Sequence, residues 1–464
     1  MRAAVLRARG AQEAWAALTF AERAAQLGRL RALLTERLDE VADAIMRETG
    51  KPELEAVAEI IAVLDALLYY PKHAEKLLRE RCTRPHLFFP FKTLVTAYHP
   101  RGVVGVITPW NFPFSMGLNP VSQALMAGNA VIQKPSEVTP LSAMLSAQLC
   151  REAGLPENIY QVLPGDGGTG AVLIDSGVDK IHFTGSVRTG RKVGAACGER
   201  LISCTLELGG KDAAIVCADA DLERAVPGVL NGAFFNTGQA CASTERVYVV
   251  DSIADEFTRR LLAEAKALRL RAGEESDIGC MIWDRQLAIV EAQVQAAVAE
   301  GATVLTGGRR LPGEEGLYYE PTVLADVSHD MAIMQQETFG PVLPIMRVAD
   351  EAAAVALAND SQYGLSASIW CGERRRGLEI ARRLHTGCAA VNDFGGLAYG
   401  AAEGSFGGRK DSGIGHVNGE LGLKSFCETQ HIVVHRFGPK RERAWYPYTR
   451  ETVDGMKKIA RLFF

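Results

Sequence analysis

The amino-acid sequence predicts an α/β protein: an open parallel sheet wound with helices, then a second α/β series, with a small β element set apart. Three observations lead there. From about residue 101 short apolar runs alternate with helical stretches, a second series of the same texture begins near Asp212, and two runs rich in β-branched and aromatic residues fit neither. The chain has 464 residues, 47% hydrophobic and 23% charged, more than one core organises, so two or three domains are expected. With 51 basic and 55 acidic side chains the net charge is -4, which gives no global attraction to nucleic acid and points to a small-molecule partner.

Taken in order, residues 19–48 read as one long helix. Thr19 and Glu22 form a capping box, Leu27, Leu30, Leu34, Leu38, Val41 and Ile45 recur at helical spacing, and Gly50, Lys51 and Pro52 stop it. A second amphipathic helix covers 55–78. Five strands follow at 103–108, 130–135, 158–164, 180–185 and 201–207, and the crossovers between them imply parallel βαβ units in a Rossmann-type open sheet, whose ligands bind at the carboxyl ends of the strands. One crossover helix runs from 139 to 153, with Thr139 as N-cap, Pro140 at the first helical position, and Gly154 and Pro156 closing it.

The second series has strands at 213–217, 246–250, 302–307, 341–348, 365–370 and 388–392, with helices around 253–270, 285–300 and 372–385. The runs 84–100 and 426–436 read as strands that project to pair elsewhere, which implies an oligomer. The ten cysteines contain no Cys-x-x-Cys pair, so neither a zinc site nor a disulfide framework is expected. Arg2, Arg7, Arg9 and Glu13 interrupt the start of the chain as they would no signal peptide, and no apolar run approaches the roughly 18 residues of a membrane span. Reduced thiols in a cytoplasm are the expectation.

Several residues can carry chemistry. Gly165, Gly167 and Gly170 satisfy G-x-G-x-x-G, but no acidic residue closes a strand about 20 residues later, so a glycine turn is an equal alternative. Thr184, Gly185 and Ser186 follow the strand Lys180–Phe183 and open a helix, the better place for phosphate. Thr108, Pro109, Trp110 and Asn111 lie just past the first parallel strand, where an amide can donate to an oxyanion. Lys134, Ser136 and Glu137 end the next strand, and the Lys–Glu pair can clasp ribose hydroxyls or be a solvated charge pair. Cys241 sits in a loop rather than in a core strand, and Glu207, beside Leu208 and Gly209, ends the fifth strand where a carboxylate can act as general base.

Over essentially its full length the chain resembles the aldehyde dehydrogenase superfamily. The resemblance rests on TPWNFPF, QKPSE, FTGS-x-x-x-G, LELGGK, FFNTGQAC, QETFGPVLP and FGGRKDSGIG, in that order, with 34 residues from Glu207 to Cys241. It implies a nucleophile at Cys241, an oxyanion held by the Asn111 amide and the Cys241 backbone N–H, and Glu207 as the base that activates water to release a carboxylic acid. A retained Glu207 favours water over coenzyme A as acyl acceptor. The cofactor implied is NAD, with NADP possible as an alternative: adenine ribose at Lys134 and Glu137, pyrophosphate near Ser186, nicotinamide ribose at Glu337, and Phe339 beside the ring. The implied domains are an NAD-binding domain (1–82 and 101–210), a catalytic domain (211–424), bridging strands (83–100 and 425–437) and a C-terminal tail (438–464).

Two departures stand out. Pro120 occupies the position, nine residues after the asparagine, where many members carry lysine, and Ser405 replaces the proline of P-F-G-G. The tail, with Trp445, Tyr446, Pro447 and Tyr448, is similar to that of a branch acting on long apolar aldehydes, so an apolar aldehyde is the expected substrate. Arg285 and Arg409 keep a semialdehyde open. A non-redox thioesterase and a silent scaffold are the remaining alternatives. Met456, Ile459, Ala460 and Phe463, with Lys457, Lys458 and Arg461, make a short basic amphipathic helix. It is expected to cap the substrate tunnel or pack on a second subunit of a dimer or tetramer, in preference to a membrane surface.

Overall fold

The computed structural model describes residues 1–85, 91–271, 275–311, 316–442 and 444–463. It begins with four helices, α1 (Arg2–Ala16), α2 (Phe20–Glu36), α3 (Leu38–Thr49) and α4 (Glu53–Leu78). The opening helix α1 has no counterpart in the sequence reading; it buries Ala4, Val5, Ala8 and Trp15, and the Trp15 indole N–H donates to the Leu125 carbonyl at 2.8 Å. The single helix expected over 19–48 is two. The chain leaves helical geometry at Arg37 (φ -102°, ψ 27°), whose guanidinium is tied to Glu40 and to Glu152. Apolar spacing runs through the break, with Leu27, Leu30 and Leu34 buried before it and Val41, Ala42 and Ile45 after it, so periodicity alone does not reveal it. The capping box is present: Thr19 Oγ1 accepts from Glu22 N–H at 3.2 Å and the Glu22 carboxylate accepts from Thr19 N–H at 2.7 Å.

The next elements are β1 (Arg81–Thr83), β2 (Lys92–Pro100), β3 (Val103–Ile107), α5 (Ser115–Met126), β4 (Ala130–Lys134), α6 (Leu141–Glu152), β5 (Tyr160–Val162), α7 (Gly167–Ile174), β6 (Lys180–Thr184), α8 (Val187–Arg200) and β7 (Ser203–Glu207). Strands β7, β6, β3, β4 and β5 lie side by side in that order, all parallel. β3, β4 and β6 are buried at every position, as expected of strands covered on both faces. The cap of α6 differs from expectation. Thr139 donates its hydroxyl to the Trp110 carbonyl at 3.1 Å, and the first-turn N–H of Ser142 is met by the Glu48 carboxylate at 2.9 Å. A carboxylate brought by α3 replaces the local cap, which no local motif predicts.

The second half contains β8 (Asp212–Val216), α9 (Leu222–Phe234), β9 (Thr244–Val250), α10 (Asp251–Ala267), α11 (Asp284–Ala299), β10 (Thr303–Thr306), β11 (Thr322–Ala325), β12 (Val342–Val348), β13 (Ala367–Trp370), β14 (Ala390–Val391), β15 (Gly413–Ile414) and β16 (Cys427–His435). Seven strands form a sheet in the order β10-β11-β12-β9-β8-β13-β14, parallel except between β10 and β11. β11 is a strand the sequence reading lacks. Alternate residues feed opposite cores: Ala213, Ile215 and Cys217 on one face, Ala214 and Val216 on the other. The short β15 crosses back to the first sheet and pairs antiparallel with β7, Gly413 opposite Glu207. Both large sheets belong to one unit, residues 1–77 and 100–428.

A second unit comprises residues 78–99 and 429–464. It holds a three-stranded sheet, β1-β2-β16, in which β16 is exposed from Glu428 onward. Both runs thus contain strands, β2 in the first and β16 in the second; positions 86–90 of the first run lie outside the described residues, as do Arg443 and Phe464. A helix over Arg450–Phe463 buries none of its residues. No helix among the described residues is long and apolar enough to cross a membrane.

Candidate active site

The carboxyl ends of the first sheet's strands open onto a cavity of about 860 Å³, a size that suits a ligand larger than an aldehyde alone. Around it stand Thr108, Pro109, Trp110 and Asn111 after β3, Lys134 at the end of β4 with Ser136 and Glu137 after it, Thr184, Gly185 and Ser186 at the end of β6, and Glu207, Leu208 and Gly209 at the end of β7. Gly167 reaches it from the start of α7, and Cys241, Glu337 and Phe339 come from the second half of the chain. Every residue singled out from the sequence as catalytic or cofactor-contacting lines this one space.

Ser186 is the N-cap of α8, its side chain accepting from Thr189 N–H at 3.4 Å. Unpaired N–H groups of that first turn, with Arg188 and Lys192 on the same wall, suit an anion. The rival G-x-G-x-x-G stretch starts the short helix α7, capped by Asp166, which accepts from Thr169 N–H at 3.2 Å. Lys134 and Glu137 pair at 3.0 Å, the lysine buried and the carboxylate half-exposed. Gly209 permits a close approach: a Cβ there would fall 2.4 Å from the Glu337 carboxylate, which accepts from Gly210 N–H at 3.1 Å. Burial pushes the Glu337 carboxyl up to about 8. The turn holding Glu337 and Phe339 is fixed from below by Glu245, which accepts from the N–H groups of Thr338 and Phe339, each at 2.8 Å, and pairs with buried Lys211 at 2.7 Å. Trp110 meets the Phe339 ring edge-on at 5.4 Å.

The thiol is set by a strained turn. After α9 the chain makes one 3-10 turn, Phe235–Gly238, in which Asn236 (φ 53°) and Thr237 (φ 58°) adopt left-handed backbone, and Cys241 follows before β9. The Asn111 amide Nδ2 donates to the Gln239 carbonyl at 2.9 Å, and Asn236 Nδ2 donates to the carbonyls of Asn111 and Gln239, each at 3.0 Å. Glu207 is buried, yet both of its carboxyl oxygens lack a hydrogen-bond partner among the described residues. Burial raises its carboxyl well above the usual range. The Cys241 thiol is also raised, first by burial and then by Asp212, Glu337 and Glu207. An unsatisfied buried carboxyl beside a half-buried thiol and a fixed amide can support nucleophilic attack, oxyanion stabilisation and proton transfer.

The sequence reading missed the far wall, where Trp283, Gln286 and Ile289 from α11 and the loop before it join Arg285. It also missed Lys51, Glu55 and Glu59, which look like the polar side of an amphipathic segment but are all buried. Only the charge-on-apolar-helix mismatch could have marked them. Arg409, unlike Arg285, is not among the residues that line the cavity; its backbone N–H donates to the Gly364 carbonyl at 2.9 Å. Pro120 lies inside α5, and Ser405 Oγ accepts from Leu421 N–H at 3.4 Å.

A thiol, a carboxyl and an amide line one cavity large enough for a dinucleotide, the arrangement of an α/β protein that binds such a cofactor at its strand ends. The model of the aldehyde dehydrogenase family matches residues 1–432. The chain is 41% identical over 446 residues to 4,4'-diapolycopene aldehyde oxidase of Methylomonas sp, covering 96% of this chain and 83% of that protein. It is 40% identical over 436 residues to a protein of Mycolicibacterium smegmatis named "Putative succinate-semialdehyde dehydrogenase (NADP(+))", covering 94% and 84%. Among solved structures, lactaldehyde dehydrogenase from Escherichia coli superposes with a TM-score of 0.89 at 35% identity, covering 93% and 90%. The NAD+ complex of aldehyde dehydrogenase from Bacillus cereus gives 0.89 at 35%, covering 93% and 88%. The chain belongs to the aldehyde dehydrogenase family. It is an NAD(P)-dependent oxidoreductase acting on aldehydes.

Proposed function

We propose that the protein oxidises an apolar aldehyde to its carboxylic acid with NAD, through a thioester on Cys241. The observation that carries this reading is that Cys241, Glu207 and Asn111 line the same cavity as the strand ends and the α8 N-terminus. Cys241, its thiol proton passed to water, attacks the aldehyde carbon, and the developing oxyanion is held by the Asn111 amide and the Cys241 backbone N–H, donors that act more strongly on the transition state than on the ground state. A bound nicotinamide supplies the acceptor for the hydride released as the adduct collapses. Glu207, with both oxygens free of hydrogen-bond partners among the described residues, then takes a proton from the water that cleaves the thioester. With Pro120 in place of a lysine, the proton leaves through Glu207 and water.

For the cofactor, the α8 N-terminus and Ser186 would hold the pyrophosphate, Lys134 and Glu137 the adenine ribose, and Glu337 the nicotinamide ribose; the cavity of about 860 Å³, with Arg188 and Lys192 in its wall, fits such a group. Glu137 accepts a 2′-hydroxyl and repels a 2′-phosphate, which favours NAD over NADP. In this reading residues 1–82 and 101–210 bind the cofactor, 211–424 supply the nucleophile, and 83–100 with 425–437 bridge protomers.

A carboxylate-bearing aldehyde is the second reading, favoured by Arg285 in the cavity wall and by the name of the mycobacterial relative. A chain-length series of aldehydes with NAD and NADP, followed by NADH or NADPH absorbance at 340 nm, decides between them. Apolar contacts raise kcat/KM about fourfold per methylene, from about 0.8 kcal/mol each. A preference for succinate semialdehyde over butanal would overturn the apolar reading.

The exposed strand β16 and the apolar side of helix Arg450–Phe463, where Met456 is 59% exposed, favour a homo-oligomer in a cytoplasm, with a second copy covering both. Light scattering of the full chain and of one ending at residue 437 tests this. A monomer that binds vesicles through the tail would put that helix on a membrane instead.

A further inference from the structure

Lys51, two residues before α4, and Glu55 and Glu59 on one face of α4 are three buried ionisable side chains spaced four apart in sequence. Burying charge is costly unless each group is paired and hydrogen-bonded; Lys51 and Glu59 pair with each other, Glu55 keeps one oxygen without a partner among the described residues, and all three meet backbone of the two active-site loops. The Lys51 ammonium donates to Glu59 at 2.8 Å and to the Asn111 carbonyl at 3.0 Å, and lies over the Phe112 ring at 4.4 Å. The other Glu59 oxygen accepts from the N–H groups of Phe114 and Ser115, at 2.8 and 3.0 Å. One ion pair therefore grips the loop 111–115 at both ends. In the first turn of α4, Glu55 accepts from Asn236 N–H at 2.7 Å, and Asn236 is the residue whose amide joins the carbonyls of Asn111 and Gln239.

We propose that Lys51 and Glu59 are positioning residues for the oxyanion amide: their ion pair fixes the Asn111 loop, while Glu55 fixes the Asn236 turn ahead of Cys241, so α4 sets the spacing between amide and thiol. The inference rests on the role given to Asn111 under the proposed function. Neither Lys51 nor Glu59 touches the reacting atoms; each acts through the backbone of residues 111–115. A displacement of the order of 1 Å in such a donor costs about 100-fold in rate, which sets the scale of the effect.

The test is a double-mutant cycle on the full-length protein with NAD and a saturating apolar aldehyde. Lys51→Met should lower kcat about 10- to 100-fold and leave the KM for NAD within about twofold, because the cofactor wall is untouched. In an Asn111→Ala background, which alone should cost about 100-fold or more, Lys51→Met should add less than about twofold, since a residue acting through Asn111 has nothing left to position. Glu59→Gln, which keeps an acceptor for Phe114 and Ser115 but loses the charge, should show the same non-additivity with a smaller single loss, and it carries the test if Lys51→Met does not fold. Losses that multiply across the two sites, or an unchanged kcat in Lys51→Met and Glu59→Gln beside an impaired Asn111→Ala, would overturn the positioning role alone. An unchanged kcat in Asn111→Ala would overturn the oxyanion reading and this inference with it.

Discussion

The side-chain amide of Asn111 donates to the Gln239 carbonyl at 2.9 Å, two residues before Cys241, and so ties the loop after β3 to the loop before β9. A primary amide has two N–H groups, and only one is needed for this tie. The second suits an oxyanion formed over the thiol. Replacing Asn111 by Ala should lower kcat by about 100- to 1,000-fold, with little change in the KM for NAD, measured by steady-state NADH formation. A rise of about tenfold or more in the KM for NAD alongside the fall in kcat would point to a collapsed cavity instead.

Glu207→Gln should separate the two halves of the reaction. Acyl transfer to Cys241 needs no base for water, so rapid mixing should show a burst of about one NADH per site followed by turnover slowed by about 100-fold or more. Loss of the burst together with the steady state would assign Glu207 to the first half-reaction.

Burial and the neighbouring carboxyls raise the Cys241 thiol, so less of it is thiolate at neutral pH than in a free cysteine. Alkylation of Cys241 by iodoacetamide in the protein without cofactor should therefore be slower than that of a model thiol at pH 7 and still rising above pH 9. Peptide mapping against pH measures it, and a rate that levels off below pH 8 would contradict the electrostatic account.

Glu137 stands half-exposed at the rim, paired with Lys134 at 3.0 Å. Glu137→Ser removes the charge that opposes a 2′-phosphate and leaves the lysine free, so the ratio of kcat/KM for NADP to that for NAD should rise on the order of tenfold. An unchanged ratio would move cofactor selection to Arg188, Lys192 and Arg200 on α8.

Much of this was readable in the residues. The parallel strands were legible because strands buried on both faces are continuous apolar runs, and the cavity was legible because Asn111, Lys134, Ser186 and Glu207 each fall at or just past the end of a strand. What was not legible is long-range. Nothing local says that α6 is capped by Glu48, that an apolar rhythm continues across the break at Arg37, or that β11 exists as four residues in a turn-rich stretch. Lys51 reads in the sequence only as part of a helix stop and Glu59 as one charge in an amphipathic segment; only the fold brings the loop carbonyl and N–H groups that satisfy them. α1 was passed over because its arginines broke the apolar pattern.

The central claim is that acyl transfer runs through the sulfur of Cys241, and intact-protein mass spectrometry of Glu207→Gln tests it most directly. Mixed with NAD and a medium-chain aldehyde, then quenched in acid, the variant should gain the mass of one acyl group, located by peptide mapping on Cys241 and absent without NAD. Full turnover with no adduct, or an adduct on any of the other nine cysteines, would contradict it.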